Sequence, residues 1–294
     1  MNNEIDSSDI YTINSDPNRD LDKDSLTNLH QFVIDNWPTI PSKELLQRSV
    51  IENQSIASVT AFLSTTSNSK NLFRKAPSSN DIQSEIWLSI VQKEAFELER
   101  IIDFPNFSPD LITDDLIAHL RNLTNKPEYL VKVNSALQSI GIVLIYERTL
   151  NSSLVDGAVG KTISGRPYIG MSLRHNRLDN YWFTLFHELG HLALHFDVLD
   201  IPILDSEDIT IDSDIEIEAD IFAKNNLIPR EIWNRSPLKF GKYNKSEEIF
   251  AFARKVEIHP AIVAGRVRRE RNDYSIHTKI VSEFNTRKIL WGIE

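Results

Sequence analysis

The pentapeptide His187-Glu188-Leu189-Gly190-His191 constrains this chain more than any other feature of it. It lies inside Phe183-Thr-Leu-Phe-His-Glu-Leu-Gly-His-Leu-Ala-Leu-His-Phe196, an amphipathic run that predicts a helix over 179–196. Residues four apart stack on one face of a helix, so His187 and His191 offer two imidazole nitrogens to one ion at about 2.0–2.1 Å. Glu188 falls about 100° round the same helix, beside the ion, where it can take a proton from water that the ion activates. Two structural helix histidines would explain the spacing but give Glu188 no role. The chain has no cysteine, which excludes disulfides, thiolate zinc fingers and cysteine nucleophiles. Any zinc must be held by His and carboxylate.

A catalytic zinc site needs a third protein ligand and an open position. An extended motif would carry glycine and then a ligand further along, but those positions are Leu194 and Asp197, and without glycine the chain turns there with difficulty. A later helix offers another route. Ser213-Asp214-Ile215-Glu216 reads as a capping box that opens a helix at Asp214. At 100° per residue, Ile215, Ala219, Ile221, Phe222 and Ala223 form an apolar arc that encloses Glu218 and leaves Glu216 and Asp220 outside with Lys224. A lone carboxylate facing a core is costly unless it is paired or binds a metal. Glu218 is therefore the expected third ligand, ahead of Glu216 and Asp197. Asp220 reads either as an acceptor for a ligand imidazole's second N–H or as a solvated carboxylate. His195, one turn past His191, either packs behind the ligands or donates to an oxyanion. His175, His259 and His277 read as ordinary histidines.

Around this helix the pattern predicts an α+β fold, a small sheet packed on the active-site helix and preceded by a helical region. Residues 1–24 hold seven acids against Arg19 and Lys23 and read as a flexible acidic tail. Residues 25–135 show helical spacing, with helices expected over 81–103, 113–123 and 127–140. Residues 136–294 are expected to form the catalytic domain. Ile140–Glu147 is apolar on both faces and reads as a buried strand, while 154–159 and 167–173 are expected to pair through a Gly- and Ser-rich turn. Helices are then expected over 214–226, 246–257 and 260–271. Pro167 suits an edge position, so Tyr168, Ile169, Gly170 and Met171 are expected to offer their backbone to an extended substrate.

Charge and hydropathy narrow the partners. Asp plus Glu number 42 against 32 for Lys plus Arg, a net of −10 that opposes nucleic-acid binding. The basic run Gly265–Arg271 contains Glu270 and reads as a solvated face. Residues 197–220 carry ten acids and no base, either a solvated loop or a negative rim that draws basic substrate segments. No apolar run approaches the roughly 20 residues of a membrane span. The N-terminus has neither a basic start nor an apolar core, so a cytoplasmic location is expected.

Several stretches together resemble the ImmA/IrrE family of metallopeptidases, in the form found as the C-terminal part of HigA-like helix-turn-helix regulators. They are Gly165-Arg-Pro-Tyr-Ile-Gly-Met-Ser-Leu-Arg174, Asp179 through His195, Glu216-Ile-Glu-Ala-Asp-Ile-Phe-Ala223 with Leu227-Ile-Pro229, Phe250-Ala-Phe-Ala253, and Ile258-His-Pro-Ala-Ile-Val-Ala-Gly-Arg266. The resemblance spans about residues 140–293. It implies a gluzincin-like zinc site with Glu218 as third ligand, and proteolysis of a regulatory protein, a repressor or antitoxin, in stress response, mobile-element control or phage defence. Residues 25–75 carry no helix-turn-helix signature, so the DNA-binding half of such fusions is absent or replaced. The competing reading is a non-catalytic regulator or antitoxin-like binding module that keeps the fold.

Overall fold

A computed structural model describes residues 23–66, 79–151, 153–206, 214–241 and 245–292. The expected acidic tail lies almost wholly outside these residues, as do Ser213 of the expected capping box and Glu207 and Asp208 of the expected rim.

The N-terminal part supplies α1 (Lys23–Asp35), α2 (Ser42–Gln47), α3 (Ile56–Ser64) and the long α4 (Ser79–Ile101). Then come α5 (Asp114–Leu123), whose first turn is capped by Thr113 accepting from the Leu116 N–H, and α6 (Val133–Gln138), entered through a 3-10 turn at Pro127–Lys132. Pro127 starts that turn because its missing N–H is one the first turn leaves unpaired in any case. The sheet consists of β1 (Val143–Tyr146), β2 (Val155–Lys161), β3 (Pro167–Met171) and β4 (Ile203–Ser206) in the order β1-β3-β2-β4. Between β3 and β4 runs α7 (Leu178–Leu194), and after β4 comes α8 (Asp214–Leu227). The chain finishes with α9 (Arg230–Asn234), α10 (Pro237–Phe240), α11 (Ser246–Val256), α12 (Pro260–Arg271), α13 (Thr278–Val281) and α14 (Thr286–Trp291). The architecture is α+β. No described helix is long and apolar enough to cross a membrane.

The pleat of the sheet divides the core. Val143, Ile145 and Tyr168 face α1, α3 and α4, while Leu144, Val159, Ile169 and Met171 face α7 and the helices around it. Both faces are therefore buried, which is why Ile140–Glu147 reads as apolar on both sides. Arg48 clamps the N-terminal layer to the end of β1, donating to Glu147 Oε1 at 2.7 Å and to the carbonyls of Arg148 and Thr149 at 2.7 and 2.6 Å.

Two sequence expectations need correction here. The 154–159 and 167–173 segments do pair antiparallel as expected, with Lys161 opposite Pro167. However, β3 also pairs parallel with β1, Val143 opposite Tyr168 through Tyr146 opposite Met171, so it lies inside the sheet. Tyr168, Ile169, Gly170 and Met171 are all buried and cannot receive a substrate strand. Pro167 misled because proline is tolerated at the first residue of an interior strand as well as on an edge. The acidic stretch after α7 is not all solvated loop either: Ile203 and Leu204 pair with Val159 and Ala158 of β2, making β4 an edge strand.

Candidate active site

Helix α7 forms where the motif's spacing demands, and it is buried along almost its whole length between the sheet and α8. His187, Glu188, His191 and His195 are all buried. Helix α8 crosses α7 at Gly190, where an added β-carbon would lie 3.1 Å from Ala219 Cα. The Gly190–Ala219 contact lets the two backbones approach and sets the face that α8 presents: Ala219, Ala223 and Leu227 point inward, and Ile217 and Ile221 are left 46% and 49% exposed.

That rotation changes the third-ligand assignment. Glu216 Oε2 lies 3.1 Å from His187 Nε2, Glu216 Oε1 lies 3.5 Å from His191 Nε2, and the two Nε2 atoms are 3.1 Å apart. One ligand atom from each of His187, His191 and Glu216 lies within 4.8 Å of the others. Ligands at about 2.0–2.1 Å in a tetrahedron are spaced by about 3.3 Å, so these separations suit one shared ion. Glu218 is elsewhere. Its side chain is 59% exposed and accepts from His195 Nε2 at 2.8 Å. The apolar arc misplaced it because the inward face of α8 is built of small residues, while its large isoleucines face out.

The remaining expected residues line up behind the cluster. His195 Nδ1 is 3.2 Å from His191 Nδ1, which makes a file from Glu218 through His195 to His191. Asp220 Oδ1 is 3.3 Å from His187 Nδ1, and its other oxygen takes the Lys224 ammonium at 2.8 Å. The outer nitrogen of His191 is hydrogen-bonded to His195, whereas that of His187 has only the ion-pair contact with Asp220; such outer contacts orient ligand rings in metal sites. Asp197 is not part of the cluster.

The Glu188 carboxylate packs against β2. A β-carbon on Gly157 would fall 2.3 Å from Glu188 Oε1, so the bare backbone of Gly157 makes the space that this carboxylate fills. Neither Glu188 oxygen has a hydrogen-bond partner among the described residues, although the residue is fully buried. Burial drives its proton affinity well above the ordinary carboxylate range against the pull of His187, with Asp205 and Glu216 adding repulsion. Burial also pushes Asp205 on β4 up to about 6. Burial would lower His187, but Asp220 and Glu216 outweigh it and hold the imidazole at about 11; burial would raise Glu216, but His187 and His191 hold it at about 2. Unpaired buried carboxylate beside three convergent donor atoms is a donor set that fits a divalent cation.

A cleft of about 620 Å³ opens onto this cluster, with Asp156, Asp205 and Asp220 among its acidic lining and Lys224, Arg266 and Arg269 among its basic lining. Gly157 and Arg269 were not picked out individually from the sequence, and Asp205 only as one carboxylate of the acidic rim. Only the closeness of Gly157 to the hairpin turn and the acidity of 197–220 hinted at them.

Residues 138–268, just under half of the chain, match the family model of the IrrE N-terminal-like domain, Peptidase_M78. Searches of curated proteins and of solved structures each returned no match. The matched stretch contains β1 through β4, α7, α8 and most of α12, and so the whole candidate cluster. Residues 138–268 are thus similar to the metallopeptidase domain of the ImmA/IrrE family.

Proposed function

We propose that this chain is a cytoplasmic zinc endopeptidase that cuts a regulatory protein, a helix-turn-helix repressor or an antitoxin. The observation that carries the reading is Glu188, a fully buried carboxylate with both oxygens unpaired among the described residues, next in sequence to His187 of the His187, His191 and Glu216 cluster. A binding module gains nothing from so costly a group, whereas a hydrolase needs a base held in a dry site. The resemblance to the C-terminal part of HigA-like regulators supports a regulatory substrate.

His187, His191 and Glu216 would hold the zinc. When bound, it would supply Lewis acidity to the scissile carbonyl and acidify the attacking water. Glu188 accepts the proton of that water on a carboxylate oxygen and passes it to the leaving amine. Asp220 on His187, and Glu218 through His195 on His191, keep the ligand rings in one tautomer and orientation. The substrate backbone extends along β4, whose pairing with β2 leaves its other edge without a strand among the described residues. Asp205 on that strand would favour a basic segment.

The test is co-expression with neighbouring regulators. Wild-type protein is expected to cleave one of them, while Glu188→Gln keeps zinc and fold but loses cleavage by about 10³-fold or more. Full cleavage or a full cellular phenotype in Glu188→Gln would refute the peptidase.

A further inference from the structure

The cations of the cleft differ in one respect. Lys224 is spent on Asp220 at 2.8 Å, Arg177 on Asp179 at 3.0 Å, and Arg266 on Glu270 at 3.0 Å and on the carbonyls of Lys224 and Ile228. Arg269 makes no ion pair or hydrogen bond among the described residues. Instead its guanidinium lies over the Phe183 ring, 3.4 Å from the ring centroid, on an exposed turn of α12. Stacking occupies the face of the guanidinium and leaves its in-plane N–H donors open, while restricting the side chain's rotamers in advance. Phe183 stands one turn before His187 on α7, with the two rings 6.3 Å apart. Together the two contacts keep the guanidinium within about 10 Å of the His187 imidazole, the reach of about three residues of extended peptide.

We propose that Arg269, presented by Phe183, is a specificity subsite that takes a substrate carboxylate within about three residues of the scissile bond. The inference rests on the peptidase reading of the neighbouring site. A fork of open N–H donors matches a carboxylate bidentately, and such pairs are among the stronger charge-assisted contacts. Asp205 and Arg269 both line the cleft with no ion pair between them among the described residues; the sheet contributes Asp156 and Asp205, and α12 contributes Arg266, which is paired with Glu270, and Arg269. A substrate would lie with a carboxylate toward α12. The carboxylate comes either from an Asp or Glu side chain or from a chain terminus.

The experiment digests a mixed peptide pool, half with free and half with amidated C-termini, with zinc-loaded wild type, Arg269→Ala, Arg269→Glu and Phe183→Leu, reading cut sites by mass spectrometry. In parallel, zinc-loaded Glu188→Gln, alone and with Arg269→Glu, captures uncut peptides from the same pool. The expected result is a ten- to hundredfold preference for a carboxylate at one position near the cut, flattened in Arg269→Ala, weakened in Phe183→Leu and turned toward Lys or Arg in Arg269→Glu. Preference that survives amidation identifies the side chain; loss on amidation identifies the chain terminus. A carboxylate preference unchanged in Arg269→Glu overturns the subsite and leaves the peptidase standing. Absence of cutting, with carboxylate peptides still captured in an Arg269-dependent way, overturns the peptidase and leaves the subsite standing. Neither cutting nor selective capture overturns both.

Discussion

Replacing Gly157 with alanine adds one methyl group to β2 at the point where Glu188 rests. The new β-carbon would sit 2.3 Å from Glu188 Oε1 and 2.8 Å from Thr184 Cγ2, where ordinary contact begins at 3.4 Å. The carboxylate must therefore retreat by about 1 Å, or β2 must move away from α7. A misplacement of about 1 Å in a catalytic group costs about a hundredfold, which corresponds to about 2.7 kcal/mol of barrier. His187, His191 and Glu216 lie on other faces of α7 and α8, so the metal content should stay at the wild-type level. The assay is kcat on the cleaved regulator, with zinc measured on the same preparation. Shortening the base supplies the control: Glu188→Asp draws the carboxylate back by one methylene, so Gly157→Ala should lose far less in the Glu188→Asp background than in wild type. Wild-type kcat in Gly157→Ala, or equal losses in both backgrounds, would show that Gly157 does not set the position of the Glu188 carboxylate.

Two further outcomes follow from the packing and the charges. Gly190→Val should destabilise the fold by about 1–3 kcal/mol in urea unfolding and weaken metal binding, because the branched side chain pushes Ala219 and with it Glu216 away from α7. Glu94 on α4 is raised to about 7 by burial, with Glu147 and Glu97 adding repulsion and Lys93 opposing them. A carboxyl that binds its proton more tightly in the folded state costs stability as pH rises from about 4.5 to about 7. Glu94→Gln should therefore have a higher urea midpoint than wild type at pH 8, and the two should converge near pH 4.5.

The closeness of His187 and His191 on one helix, with Glu188 between them in sequence, was legible because four-residue spacing on a helix is a local property. Helix α7, the β2–β3 hairpin and the Thr113 cap were readable for the same reason: each depends on neighbours within a few residues. The third carboxylate was not. Which face of α8 turns inward is decided by Gly190 on another helix, and the hydropathy of Ile217 and Ile221 argued for the wrong rotation. The interior position of β3 was hidden in a similar way, since its second partner, β1, lies more than 20 residues away in sequence and pairs in parallel. Strand β4 was masked by its acidic surroundings; Ile203 and Leu204 are too short a run to stand out against Asp200 and Asp205. Gly157 carries no side chain to notice, and its importance lies wholly in what it leaves room for.

The proposed function requires His187, His191 and Glu216 to hold one zinc ion with Glu188 beside it. It is tested most directly by zinc stoichiometry and competitive chelator titration on wild type, Glu216→Ala and Glu218→Ala. Wild type is expected to carry about one zinc per chain, Glu216→Ala to lose more than about a hundredfold in affinity, and Glu218→Ala, which removes the acceptor of His195 Nε2, less than about tenfold. Zinc retained by Glu216→Ala and lost from Glu218→Ala would show that Glu218, not Glu216, is the third ligand.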